Sequence, residues 1–148
     1  ETPWLLHPLY FANLALIVAR PTMADLFATR HTLNALGILG SKLPRESIYL
    51  VLNQVSETSA FTPRQFLEEL ASALDWSPPI AAVIEHDPNI LAAQNQRVPA
   101  MTRSEKLTRG VRQIISNLFP GMENTLAQTQ DNNNGSKSVF RVPKFRFG

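Results

Sequence analysis

The sequence predicts an α/β fold, with a mostly parallel sheet covered by helices in three layers. Two observations carry this prediction. Three short runs, at 12–19, 48–52 and 80–84, are almost continuously apolar and rich in Ile, Val and Leu. Such runs are typical of strands that are buried on both faces. Helical patterns separate the runs, and this alternation favours βαβ units with parallel strands and right-handed crossovers.

A helix is predicted after each strand. The first pattern covers 22–39 and is closed by glycines at 37 and 40. It places three leucines near one face: Leu26, Leu33 and Leu36. The second helix has a clear start, with Thr62 as N-cap, Pro63 at the first helical position and Gln65 at the third.

Two further helices complete the order. Asp87 followed by Pro88 predicts the start of a short helix. An amphipathic helix ends before Pro120 and carries an apolar stripe: Leu107, Val111, Ile114, Ile115 and Leu118. Three strands make a thin sheet with an apolar edge, which stable proteins normally cover. We therefore expect half of a larger sheet, with an edge that drives dimerisation or strand exchange.

Composition divides the 148 residues into three parts. The body, 1–121, is followed by a polar linker at 122–138 and a tail at 139–148 that combines phenylalanines with basic residues. The net charge of +2 comes from residues 120–148, because residues 1–119 hold ten basic and ten acidic side chains. A neutral body argues against nucleic acid as a partner. The tail is either a free end or a segment that docks on a sheet edge, on a partner or at a membrane surface.

Several kinds of site are not indicated by the sequence. There is no cysteine, and no apolar run approaches the ~20 residues of a membrane-spanning helix. His31 and His86 lack a third ligand at a recognisable spacing, so no metal site is predicted. No catalytic triad pattern is present. A basic run near the end of the body predicts a solvated face or a contact with a partner or anionic lipid: Arg103, Lys106, Arg109 and Arg112.

Three segments have distinctive strand ends. The first is Leu9–Asn13, which precedes an apolar strand and Arg20–Thr22. The second, Leu50–Val55, ends in an Asn-Gln pair before its last valine. The third, Ile84–Pro99, contains Glu-His-Asp-Pro and, further on, Asn-Gln before a final proline. Ligands usually bind at such strand-end loops in α/β sheets.

Together these segments resemble the C-terminal half of the MinD/ParA superfamily of deviant Walker ATPases, from about Leu9 to Phe119. They are similar to the family patterns LYFAD…xPE, lVlNrv and IPxDxxvxxAxNxGxP. The chain departs from these patterns at four positions, each given with the residue usual in the family: Asn13 for Asp, Gln54 for Arg, Glu85 for Pro and Arg97 for Gly. The resemblance implies a partial P-loop NTPase or Rossmann-like fold. The strand-end Asn without Arg is most similar to the CpaE/TadZ branch, which localises pilus and secretion machinery at the cell pole.

The resemblance also implies a site. Asn53 matches the family asparagine that lies at the adenine base, and Glu85, His86 and Asp87 would form the neighbouring wall. Two alternatives stay open from the residues themselves: Asn53 caps a turn, and Asp87 is the N-cap of the helix at Pro88. No Gly-Lys-Ser/Thr occurs, so the chain alone should neither bind nor hydrolyse ATP.

The implied parent protein is a cytoplasmic ATPase that uses ATP and Mg. We expect it to form a homodimer, to contact pilus or secretion proteins, and to work in the cytoplasm, at the inner membrane or at the cell pole. Two alternative functions are a non-catalytic interaction or oligomerisation module, and a MinD/ParA protein of division-site or DNA partitioning.

Overall fold

A computed structural model describes residues 11–38 and 43–120. The linker, the tail and the start of the first motif lie outside these residues. In chain order the main elements are β1 (Ala15–Ala19), α1 (Met23–Ile38), β2 (Ile48–Val55), α2 (Pro63–Leu74), β3 (Ile80–Glu85), α3 (Asn89–Asn95) and α4 (Glu105–Leu118). Short 3₁₀ turns at Arg45–Ser47 and Ala100–Thr102 precede β2 and α4.

The three strands form one parallel sheet in the order β1-β2-β3. With its helices, this sheet confirms the predicted α/β fold. β1 is shorter than the apolar run at 12–19, because its pairing begins with Ala15 opposite Ile48. Before Ile48 the chain forms the 3₁₀ turn, so residues 12–14 have no strand of β2 beside them.

The main core lies between the sheet and the helices α1 and α2. Phe66 and Leu70 of α2 are completely buried there, and they pack with three buried leucines of α1: Leu26, Leu33 and Leu36. These are the leucines that the periodicity predicted. The strands contribute alternate residues to the same core: Ala15, Ala19, Ile48, Leu50 and Leu52. We call this side of the sheet the α1/α2 face.

The helix boundaries mostly follow the predicted signals. The Thr62 hydroxyl accepts the N–H of Gln65 at 3.3 Å, and the Gln65 side chain accepts the N–H of Thr62 at 2.9 Å. This reciprocal capping box confirms the predicted start of α2. The helix predicted over 22–39 is confirmed as α1, which includes Gly37 and ends at Ile38.

The opposite side of the sheet, which we call the α4 face, follows from the strand register. Val18 pairs with Val51, and Val51 pairs with Ala82. A register shift in β3 after Ile80 places Ala82 and Ile84 on this side. Here Gly110 of α4 lies directly against the Ile84 side chain. The predicted α4 is confirmed as a helix, but Leu107, Val111 and Ile114 are only half-buried.

The described chain forms two compact units, with the boundary after Ile114. The last residues of α4 therefore belong to the second unit, in which the N–H of Phe119 donates to the carbonyl of Ile115 at 2.8 Å. In the described residues no helix has the length and apolar character needed to cross a membrane.

Candidate functional site

The predicted site residues lie at the carboxyl ends of the adjacent strands β2 and β3 and just beyond β3. The N–H of His86 donates to the carbonyl of Val55 at 2.8 Å, so pairing continues just beyond β3. The register shifts between Leu52 and Val55, and within this bulge Gln54 has a φ of 59°. Asn53 thus lies beside the loop formed by residues 85–87, at the sheet edge where ligands bind in open α/β folds.

Asn53 is half-buried, and its side chain contacts its own loop. Its Oδ1 accepts the N–H of Gln54 at 2.9 Å. This contact fits the turn-capping alternative, because it holds Gln54 in its left-handed conformation. The Asn53 NH₂ group takes no part in it and has the chemistry to donate to a ring nitrogen.

Glu85 forms an ion pair with Lys106, with 2.8 Å between Oε2 and Nζ. The hydrogen bond and the positive charge of Lys106 lower the pKa of Glu85. Lys106 Nζ also donates to the carbonyl of His86 at 3.4 Å. Both charged side chains are about half exposed, so solvent screens the pair. The ion pair joins the end of β3 to the first turn of α4.

Asp87 is buried and structural in its contacts. Its Oδ1 accepts the N–H of Asn89 at 2.9 Å, and its carboxylate also accepts from the Ser104 hydroxyl. The Ser104 and Asn89 hydrogen bonds lower the pKa of Asp87. Asp87 thus stabilises the first turn of α3, as the helix-start alternative predicted. Pro88 already has helical φ and ψ of −63° and −20°.

Ser104 links the two helices at this edge. It is buried, and its Oγ accepts the N–H of Leu107 at 3.0 Å, which caps α4. Sequence reasoning missed both Ser104 and Lys106 as neighbours of the site. A serine just before an apolar helical pattern is an N-cap signal that could have identified Ser104. For Lys106 only its charge was visible in the sequence. The basic run to which it belongs is exposed, with Arg103 just before α4 and the other three residues on the helix.

A third strand end lies at the same edge of the sheet. After β1, Arg20 binds Asp25 through Nε and Nη2, at 3.0 and 3.1 Å, and its N–H donates to the same carboxylate at 2.8 Å. These bonds lower the pKa of Asp25 and raise that of Arg20. Thr22 Oγ1 accepts the N–H of Asp25 at 3.2 Å. The loop therefore caps α1, and the charges of Arg20 and Asp25 are paired with each other.

In the turn after α3, one residue other than glycine has a left-handed backbone conformation. Arg97 has a φ of 56°, in the left-handed region that favours glycine. The N–H of Val98 donates to the carbonyl of Ala93, and the N–H of Arg97 to that of Gln94, both at 3.0 Å. This pattern is a Schellman motif, which usually has glycine at the position that Arg97 occupies.

Two cavities lie away from these residues. One, of about 470 Å³, is lined by the end of α1, the start of β2 and Trp76, whose ring lies 5.3 Å from the guanidinium carbon of Arg45. The other, of about 540 Å³, lies between α1 and α2 beside the exposed Phe27. None of the four predicted site residues lines either cavity. Within residues 11–38 and 43–120, no group of three metal-ligating side chains occurs.

Comparison with known proteins adds no family assignment. No protein-family model matches the chain, and no curated protein matches it.

Proposed function

We propose that this chain is the C-terminal half of a MinD/ParA-like ATPase of the CpaE/TadZ type. Its parent would bind ATP and Mg, form a dimer and position a pilus-assembly or secretion machine at the inner membrane or cell pole. The chain alone is inactive in this proposal, because it contains no Gly-Lys-Ser/Thr to hold the phosphates.

The backbone at Arg97 is the observation that carries this proposal. The family pattern has a glycine at this position, two residues before the last proline. Here Arg97 adopts the left-handed conformation that glycine adopts without steric cost. A chain that keeps this turn while it has lost the glycine is what divergence from a glycine-containing ancestor would produce. The observation supports ancestry and leaves the activity to experiment.

The proposed base-binding role fits one side of Asn53. Its Oδ1 already accepts the N–H of Gln54, and its NH₂ group is able to donate to a base. An adenine has ring nitrogens that accept hydrogen bonds. Residues 85–87 lie beside Asn53, because the chain just beyond β3 pairs with the end of β2. Glu85 and His86 are exposed and would form the wall of such a pocket. Asp87 would shape the loop through its contacts with Asn89 and Ser104.

Calorimetry tests the proposal at two levels. The chain alone should release no heat with ATP and Mg, and a micromolar affinity would refute the argument from the missing phosphate loop. In the longer parent, Asn53→Ala should weaken ATP binding, whereas Glu57→Ala, an exposed loop residue, is the control. A parent without Gly-Lys-Ser/Thr before this segment would refute the ATPase itself.

A second candidate is a non-catalytic interaction module. It is favoured by the contacts of the site residues, because Asn53, Glu85 and Asp87 are all held by groups of the same chain. Cellular localisation separates the two functions. If a fluorescent fusion of the parent keeps its position after Asn53→Ala abolishes ATP binding, the module is the better description.

A further inference from the structure

A groove lies between α1 and α2, and its lining comes from the part of the chain that the structure describes. It is the cavity of about 540 Å³, and we call it the α1/α2 groove. Its most buried lining residues are Leu26 of α1 and Leu70 of α2, and the half-buried Phe61 lines it as well. α1 connects β1 to β2, and α2 connects β2 to β3. The groove therefore stays between the same two helices if further strands extend the sheet.

The α1 wall of the groove exposes large apolar side chains. Met23 and Phe27 lie one turn apart, line the groove and are 51% and 60% exposed. The alanines that follow them, Ala24 and Ala28, are exposed too. The one charged residue in this stretch is Asp25, which is bound by the loop before α1. The outer side of a surface helix is normally polar, so an apolar stretch of this kind indicates a contact surface.

The two walls of the groove carry opposite charges. Arg30 lies on α1, about one turn after Phe27, and Glu69 lies on α2. Both side chains line the groove and both residues are exposed. Among the described residues neither takes part in an ion pair, whereas Arg64 and Glu68 on α2 pair with each other at 2.7 Å. Within the described chain, the groove thus offers a free positive charge on one wall and a free negative charge on the other.

We propose that the α1/α2 groove binds an amphipathic helix of a partner protein. The apolar stripe of this helix contacts Met23 and Phe27. An acidic residue on one flank pairs with Arg30, and a basic residue on the opposite flank pairs with Glu69. The charges of such a helix are complementary to those of both walls, and its stripe covers the apolar side chains between them.

The shape of the groove favours a helix over other partners. Met23, Phe27 and Arg30 follow the spacing i, i+4, i+7, so they form a row about 10 Å long on one side of α1. A groove between packed helices accepts the side-chain ridge of a third helix. A strand would need unpaired backbone groups, which the interiors of two helices do not provide. An anionic membrane or a nucleic acid would be repelled by Glu68 and Glu69 on α2.

A fluorescently labelled synthetic peptide tests the groove directly. The peptide has about 20 residues, a leucine stripe at helical spacing, glutamates along one flank and lysines along the other. It should bind the full chain saturably in an anisotropy titration, and Phe27→Gln should weaken binding at least about tenfold. Leu91→Gln is the matched control, because Leu91 is 62% exposed but lies on α3. Gln favours helices, so both variants should fold. A peptide that does not bind, or that binds Phe27→Gln as tightly, would overturn the proposal.

Two further peptides test the charges of the walls. Both keep the leucine stripe, and their flanks carry either glutamates alone or lysines alone. The natural chain should prefer the mixed peptide, Arg30→Glu the lysine peptide and Glu69→Lys the glutamate peptide, because each substitution gives both walls the same sign. The preferences should be severalfold and should weaken as salt is raised. The same order of affinities in all three proteins would contradict the assigned charges of the partner helix.

Sedimentation of the chain without peptide tests whether a second copy occupies the groove. The full chain should keep its oligomeric state after Phe27→Gln. A dimer that this substitution dissociates would show that a second copy fills the groove, and the partner-helix proposal would then be wrong. None of these experiments involves nucleotide, so their outcome is independent of the proposed ATPase ancestry.

Discussion

The two faces of the sheet are buried to different extents. On the α1/α2 face, two helices cover the alternate residues of β1 and β2, and Phe66 and Leu70 are completely buried. On the α4 face, burial declines along one register row, from Ala82 and Val51 at 0–1% exposure to Val18 at 58%. Gly110 of α4 contacts Ile84 on this side, and Leu107, Val111 and Ile114 of the same helix are half-buried.

We infer from this difference that the two faces have different roles: one provides most of the folding stability, and the other leaves apolar surface exposed. The α1/α2 face contains most of the buried side chains and should determine whether the chain folds. On the α4 face, Gly110 packs closely against Ile84, and apolar surface remains exposed at β1. The capped and paired loops at the strand ends connect the two faces. The following substitutions test this division of roles.

The largest effect is expected on the α1/α2 face. Phe66→Ala should lower the free energy of unfolding by about 3–5 kcal/mol, because it leaves a cavity in the main core. Leu91→Ala on exposed α3 should change it by less than about 0.5 kcal/mol. Urea denaturation followed by circular dichroism measures both. Similar losses for the two variants would show that the faces do not differ as described.

A smaller loss is expected where α4 meets the sheet. Gly110→Ala places a Cβ against Cγ1 of Ile84, with Cδ1 at 3.2 Å. The clash should cost about 1–3 kcal/mol, more than the gain of about 1 kcal/mol from replacing a helical glycine. With Ile84→Ala in place, Gly110→Ala should become neutral or stabilising. A double-mutant cycle with no coupling would contradict the close packing of α4 on β3.

A gain is expected at the end of α3. Arg97→Gly should raise the free energy of unfolding by about 0.5–1 kcal/mol, because glycine accepts the left-handed conformation without the side-chain penalty. Arg97→Lys removes no strain and should leave stability unchanged. Thermal and urea unfolding of the three proteins check the order. A loss of stability in the glycine variant would mean that the Arg97 side chain makes a favourable contact.

The smallest effect is expected on the stability of the fold at low pH. The pKa of Asp87 is lowered in the folded chain, so its contribution to stability is full above the unfolded pKa and is lost as pH falls through the folded value. Asp87→Asn should flatten the fall of the urea midpoint below about pH 4. Ser104→Ala, which removes one donor but keeps the carboxylate, should flatten it less. An unchanged acid profile in Asp87→Asn would exclude this linkage.

Local chemistry explains which parts of the fold were predictable. Thr62, Pro63 and Gln65 act within one helical turn, so their sequence spacing alone indicates the capping box. The apolar runs identified all three strands for the same reason. The start of β1 was not predictable, because it depends on where the partner strand begins, at Ile48.

The position of the candidate site was predictable from the sequence, but the contacts of its side chains were not. Parallel strands place Asn53 and Glu85 at one edge wherever the helices pack. The Glu85–Lys106 pair joins residues from different elements, so its formation depends on how α4 docks. Gly110 is likewise only a weak helix former in the sequence. Its role appears when Ile84 is placed beside it.

The sheet register has a consequence for folding rate. Ala15 pairs with Ile48 and Leu50 with Ile80, so every strand pair joins residues at least 30 positions apart. No hairpin can nucleate this sheet, and each pairing must first close a long loop. The helices α1 and α2 contain local contacts and can begin earlier. Until both outer strands arrive, the apolar β2 is an unpaired segment, so refolding yield should fall as protein concentration rises.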